Sequence, residues 1–201
     1  MNYRAHAAES GAAPPQQPVV FLKAPNTVGG PDDPVRLLPE STHTDWEVEL
    51  GVVIGRRAHL LASEDDALAH IGGFVLADDL SEREWQLDLS GGQWSKGKCA
   101  PGFAPLGPWL ATPDELDPES LWIRSWVNGE LRQSSTTAEM IFPVGYLVWH
   151  LSQFMALDPG DVILTGTPQG VGLSGRFAYL RSGDVVEVEI DGLGRQRHVM
   201  V

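Results

Sequence analysis

The chain has 201 residues, 42% of them hydrophobic, with seven Trp and a formal net charge of −13. This length suits one domain with a real core, and the apolar content excludes an intrinsically disordered chain. The negative charge repels phosphate, so nucleic acid and anionic membrane surfaces are not expected partners; an anionic small molecule stays open, because a bound divalent cation reverses the local sign.

Cys99 is the one cysteine, so no internal disulfide forms and the chain suits a reducing compartment. The opening MNYRAHAAES lacks the apolar core of a signal peptide. No apolar run approaches the roughly 18 residues that span a bilayer. A cytoplasmic location is expected.

Residues 2–9 (NYRAHAAE) predict a short helix capped by Asn2, with His6 and Glu9 three apart on one face. Residues 10–18 predict a loop and residues 18–22 (PVVFL) a short buried strand. Residues 23–44 are rich in Pro, Gly and Asp without periodicity, and a loop of that length is usually functional or a lid. The stretch 45–54 (DWEVELGVVI) then alternates as a strand. Val48, Leu50, Val52 and Ile54 share one face, while Glu47, Glu49 and Gly51 share the other. Two readings stand for the Glu pair. If solvated, it is the polar side of a half-buried strand; if buried, the carboxylates repel and need a cation.

Residues 63–66 (SEDD) open a short helix with a capping-box pattern, and residues 70–77 form an apolar strand ending at Asp78-Asp79. Ser81 is expected to cap a second helix through Leu89, with Arg83 and Gln86 on one face. Residues 91–98 (GGQWSKGK) predict a glycine-rich basic loop, and residues 101–108 an irregular Pro-rich connection. Asn128-Gly129 between two strand-like runs is a strong hairpin signal. Pro143 opens a helix expected to reach about Leu157, in which His150 reads as a packing residue. Further strands are expected at 162–164, at 185–190 and after the Asp191-Gly192 turn. Strands outnumber helices and do not alternate with them, which predicts an α+β, mostly β fold with largely antiparallel sheets.

Two patterns mislead. Residues 170–175 (GVGLSG) match the dinucleotide fingerprint after a strand, but no helix N-terminus follows to hold a pyrophosphate. Cys99 in a loop is more simply a small apolar residue than a nucleophile. A hard divalent ion such as Mg²⁺ or Mn²⁺ prefers carboxylate oxygens and leaves positions open for substrate. Glu47 and Glu49 supply two; Asp78 and Asp79 are candidates for a third.

The ordered set NYRAHAAE (2–9), PVVFLKAP (18–25), TDWEVELGVVIG (44–55), GGFVLADDLSER (72–83), WSKGK (94–98), FAPLGPWL (103–110), VNGELRQ (127–133), EMIFPVGYLVWHLS (139–152), LDPGDVILTGTPQGVG (157–172) and GDVVEVEIDGLG (183–194) resembles the fumarylacetoacetate hydrolase family along nearly the whole chain. The resemblance implies a mixed β-roll of several sheets with short peripheral helices, one catalytic domain over 1–201, and a homodimer. It places the metal ligands on Glu47, Glu49 and Asp79, for Mg²⁺ or Mn²⁺. It places a catalytic His-x-x-Glu dyad on His6 and Glu9, an active-site cation on Lys98, and substrate contacts on Arg83, Gln86 and Thr167. The implied substrates are 2,4-dioxo acids (acylpyruvates) and related 2-oxo or 2-hydroxy-dienoate acids. The implied reaction is hydrolysis of a C–C bond through an enolate stabilised by the ion. Isomerisation or decarboxylation of related acids is the alternative, and a catalytically weakened ligand-binding member is a third. Two departures bear on this. Pro101 stands where the family usually has Asp. The family's strand before the N-Y-x-x-H segment does not precede Asn2, so His6 is expected to be weakly anchored.

Overall fold

The computed structural model describes residues 1–11 and 13–201. Ala12, inside the loop expected over 10–18, lies outside the described residues. In chain order the elements are α1 (Arg4–Glu9), β1 (Val28–Gly29), β2 (Thr44–Asp45), β3 (Val48–Ile54), α2 (Glu64–Leu68), β4 (Ile71–Asp78), β5 (Ser81–Glu82), α3 (Ser95–Lys98), β6 (Ala104–Ala111), β7 (Trp122–Val127), β8 (Glu130–Thr136), α4 (Val144–Ser152), β9 (Val162–Leu164), β10 (Val185–Ile190) and β11 (Gly194–Val199). The fold is mostly β, as expected. Five strands form one sheet in the order β1-β6-β4-β3-β9, four form a second in the order β11-β10-β7-β8, and β2 pairs with β5. Only β1 and β6 run parallel among the described pairs, so the first sheet is mixed.

The core lies where β10 and β11 pack against β3, β4 and β6. Alternation builds it. Val48, Leu50, Val52 and Ile54 of β3 meet Leu76 of β4, with Ile123, Val186, Val188 and Ile190 of the second sheet in the same cluster. Asn128 and Gly129 both take positive φ, 52° and 78°, as a two-residue turn between β7 and β8 requires. Ser63 caps α2 by accepting from the Asp66 amide at 3.1 Å.

Five expectations are corrected. Residues 18–22 are not a buried strand. They pair with no strand, and Val19, Val20 and Leu22 are exposed. The Leu22 amide is instead held by Ser95 Oγ at 3.1 Å, and Phe21 packs on Trp94. Asn2 does not cap α1; its side chain donates to the Thr165 and Phe142 carbonyls and accepts from the Phe142 amide. Ser81 lies in β5, and Arg83 stands at the start of the π-helical turn Glu84–Asp88, whose Trp85 amide donates to Glu82 at 2.7 Å. The Pro-rich 101–108 stretch largely forms β6. Its prolines are tolerated because β1 borders it over two residues only and its ladder to β4 is broken between Val75 and Ala77. α4 stops at Ser152, because Leu157 pairs through both backbone groups with Ala58.

α3 lies so close to the π-helical turn that a Cβ on Gly97 would collide with the Glu82 carbonyl and the Gln86 backbone. Gly97→Ala is therefore expected to destabilise the protein by about 1–3 kcal/mol. Thermal unfolding checks this, and an unchanged melting temperature would contradict the close approach.

Candidate active site

The face of β3 opposite the core carries the site. Glu49 sits within the strand and Glu47 directly precedes it, 2% and 5% exposed. Both faces are buried, so the solvated reading of the pair fails. Val48 registers with Asp78 of β4, and the Asp79 amide donates to the Glu47 carbonyl at 2.9 Å. This brings the fully buried Asp79 alongside. Glu47, Glu49 and Asp79 each offer an oxygen, all within 4.8 Å of one another. Asp78 is the acid left out: its Oδ1 accepts from the Glu47 amide at 2.9 Å and its Oδ2 has no partner.

Cations come from three other segments. α3 delivers Lys98, 1% exposed, whose Nζ lies 2.6 Å from Glu47 Oε2 and 2.7 Å from Asp79 Oδ2. Arg83, at the start of the π-helical turn, places Nη2 2.7 Å from both Asp45 and Glu47 and donates through Nη1 to Gln86 Oε1 at 2.8 Å. Lys23, from the 23–44 loop, places Nζ 2.6 Å from Asp79 Oδ1.

Charge follows from these contacts. Burial raises the Glu47 carboxyl, but Lys98 and Arg83 outweigh it and hold Glu47 well below the usual range. Among the described residues Glu49 has no cation in contact, and Lys98 and the Gly166 amide lower it too little to compensate. Burial first, then Asp79 and Glu47, push it well above the usual range. Burial likewise pushes Asp78 up to about 7. Lys98 is raised, since Asp79 and Glu47 overcome its burial. In the ion-pair network Asp45, Glu47 and Asp79 are matched by Lys23, Arg83 and Lys98. Glu49 and Asp78 remain without a cation among the described residues. Three convergent buried carboxylates and this unmet negative charge fit a hard divalent cation. Glu47, Glu49 and Asp79 would hold it.

α1 brings in His6, 4% exposed. Its segment is firmly anchored: Tyr3 is fully buried and bridges Met140, and the Ile141 amide donates to the Asn2 carbonyl at 2.7 Å. Weak anchoring of His6 is thus overturned. His6 Nδ1 faces Glu9 at 3.8 Å, beyond hydrogen-bond length, and Glu9 accepts instead from the Gly170 amide at 3.0 Å. Burial lowers the His6 pKa.

His6, Glu47, Glu49, Arg83, Gln86, Lys98 and Thr167 line one cavity of ≈100 Å³. One water needs roughly 10–15 Å³ by this measure, so the cavity suits a small acid. Gln86 has its oxygen on Arg83, which leaves its amide nitrogen for a ligand. Thr167 donates to the Val48 carbonyl at 3.0 Å and accepts from Gln133 at 2.7 Å, so its hydroxyl proton is already committed.

Sequence reasoning missed Lys23 and Asp45. The signal for Lys23 was a lone cation inside the apolar run FLKAP. Asp45 is fully buried and accepts from the Gly172 and Leu173 amides at 2.8 and 2.9 Å as well as from Arg83. A second acidic group, His43, Glu82 and Glu84, meets the same distance criterion, but Glu82 is taken by Ser41 and the Trp85 amide. Cys99 donates to the Leu22 carbonyl and does not line the cavity, and His150 stacks on Tyr146.

This geometry agrees with the family assignment. All 201 residues match the model of the fumarylacetoacetate (FAA) hydrolase C-terminal family, and the chain belongs to that family, whose members are generally divalent-metal-dependent. It is 48% identical, over 98% of its length and 70% of the relative's, to a 2,4-didehydro-3-deoxy-L-rhamnonate hydrolase of Sphingomonas sp. (strain SKA58). It is 47% identical, over 96% of its length and 62% of the relative's, to the mitochondrial oxaloacetate tautomerase FAHD2B of Bos taurus. Among solved structures, an HpcE protein from Mycobacterium smegmatis superposes with a TM-score of 0.93 at 43% identity, covering 100% of this chain and 71% of that one. A 2-hydroxyhepta-2,4-diene-1,7-dioate isomerase from Mycobacterium marinum gives 0.87 at 37%, covering 100% and 71%. The chain thus spans about two-thirds of the length of these relatives. Among the described residues no helix is long and apolar enough to cross a membrane.

Glu49→Gln separates two effects of the unpaired carboxylate. Without metal, replacing a carboxyl that burial and its neighbours disfavour in its charged form is expected to stabilise the fold by about 1 kcal/mol or more. Mn²⁺ affinity is expected to fall by at least the roughly 10–100-fold that losing an outer-shell partner costs. Thermal unfolding and calorimetry check the pair; loss of stability together with unchanged affinity would contradict the assignment.

Proposed function

We propose that residues 1–201 supply the catalytic domain of a Mg²⁺- or Mn²⁺-dependent hydrolase that cleaves a C–C bond in 2,4-dioxo acids of the acylpyruvate type. One observation carries this reading: a buried histidine whose pKa is lowered lines a small cavity together with Glu47 and Glu49, two of the three convergent buried carboxylates. When bound, the ion supplies Lewis acidity toward the 2-oxo acid head and favours the enolate as leaving group.

The chain's own residues do the rest. Arg83 and Lys98 fix the ligand carboxylates in place. The Gln86 amide and the cavity wall at Thr167 orient the acid head. His6, neutral at pH 7, takes a proton from water through Nε2, because Nδ1 is turned toward Glu9. Glu9 needs only a small shift to accept from Nδ1, and such bonds often tighten when substrate binds. Water then attacks the C4 carbonyl, and Lys98, freed from one carboxylate, stabilises the developing oxyanion. The C3–C4 bond breaks to give a carboxylic acid and the enolate of a 2-oxo acid, to which the His6 imidazolium returns its proton. Firm anchoring of α1 supports an active enzyme over a weakened ligand-binding member.

Tautomerisation or isomerisation is the second reading, favoured by the tautomerase and isomerase relatives. It needs the proton transfer by His6 without attack by water. Product analysis separates the two, since only hydrolysis releases pyruvate from 2,4-dioxopentanoate. His6→Gln is expected to lower kcat for this hydrolysis by about 10²–10⁴-fold while calorimetric Mn²⁺ binding stays unchanged. Full activity in the variant would overturn the role of His6. In the wild type, kcat/KM should hold as pH falls to the ordinary imidazole value of 6.5 and decline only below it, because a lowered pKa keeps His6 unprotonated there. A decline centred above 6.5 would contradict a buried, neutral base.

A further inference from the structure

Resting on the 2-oxo acid reading of this site, we propose that the substrate carries its only carboxylate at the 2-oxo end. The apolar wall around Leu87, Trp94 and Leu173 then selects an uncharged tail beyond C4. The cavity has two chemically distinct sides. Its charged side chains are Glu47, Glu49, Arg83 and Lys98, all at the metal-ligand end. The remaining lining is largely apolar: Val19, Phe21, Leu87, Trp94, Phe142 and Leu173, with the Phe21 ring 5.0 Å from Lys98 Nζ.

Arg83 and Lys98 are both engaged, and burial pushes the Met1 α-amino group, which also lines the cavity, toward its uncharged form. Arg83 donates through Nε to Asp45 and through Nη1 to Gln86, and its Nη2 lies in ion-pair contact, 2.7 Å from both Asp45 and Glu47. Lys98, shared between Glu47 and Asp79 without the ion, lies at the head end, where an acid head would claim it once one carboxylate releases it. A tail reaching past residues 18–22 enters a second hollow of ≈550 Å³, which shares Pro18, Val19, Phe21, Leu147 and Leu164 with the first. There the charged side chains are Lys23, already on Asp79, and Asp161, which would repel an acid. A remote carboxylate would therefore be desolvated against carbon with no cation to receive it. A methyl or short alkyl end would be buried favourably on the same wall.

The test is calorimetric binding of two matched acids, 2-oxohexanoate and 2-oxohexanedioate, to Mn²⁺-loaded protein. They share the head and chain length and differ by a methyl in place of the second carboxylate. We expect the monoacid to bind at least about tenfold more tightly. The preference should hold in high salt, where long-range repulsion from the acidic chain is screened. Leu87 is 39% exposed and tolerates exchange. Leu87→Arg should raise affinity for the dioate and narrow the ratio, whereas Leu87→Gln, polar but uncharged, should leave it in favour of the monoacid. Equal or tighter binding of the dioate by the wild type overturns the selection, as does a ratio that Leu87→Arg leaves unchanged. Binding of neither acid would overturn the 2-oxo acid reading of the site itself, and the selection with it.

Discussion

Five carboxyl groups, those of Asp45, Glu47, Glu49, Asp78 and Asp79, are buried where β3 and β4 lie side by side. Like charges at this distance in a low dielectric raise one another's pKa and oppose folding unless cations answer them. Much of the local architecture supplies that answer. α3 exists as a single turn that carries Lys98 inward, and Gly97 lets it approach closely enough. The π-helical turn starts at Arg83, and the 23–44 loop delivers Lys23. After these pairs form, Glu49 and Asp78 are still unmatched, which is the physical case for a divalent ion.

The glycine-rich 165–173 segment has the complementary task. It offers backbone amides to the same group of acids. The Gly166 amide donates to Glu49 at 2.7 Å, Gly170 to Glu9, and Gly172 and Leu173 to Asp45. Gly170 sits at φ 103° with its α-carbon against the Arg132 carbonyl, a place only glycine fits. The pattern that mimics a dinucleotide fingerprint thus cradles anions after all, but they are side chains of the protein itself. Asp45 links this segment through Arg83 to Glu47, so the loop that holds Glu9 near His6 is tied to the cluster of three carboxylates.

Much of this was legible from residue order. Strict alternation gave β3 and its two faces, Asn128-Gly129 gave the hairpin, and Asp78-Asp79 at a strand end gave the third carboxylate of the cluster once register was added. What was not legible depended on contacts distant in sequence. The apolar 18–22 run looks like a strand, yet it has no ladder partner and serves as cavity wall. β6 was hidden because proline argues against strands, and only its short neighbour and broken ladder excuse it. The end of α4 was set by Leu157 pairing with Ala58, about a hundred residues away in sequence. Lys23 and Asp45 lie inside PVVFLKAP and TDWEVELGVVIG, but nothing local marks their chemistry, and their roles exist only after folding brings Asp79 and Arg83 to them.

The central claim is that Glu47, Glu49 and Asp79 together hold a divalent cation and that this ion accounts for their burial. Anomalous diffraction from crystals grown with Mn²⁺ measures this directly. The account predicts one strong peak within bonding distance of all three carboxylates, with Lys98 Nζ displaced from its place between Glu47 and Asp79. No peak there at saturating Mn²⁺, with Lys98 still bridging the two acids, would contradict it.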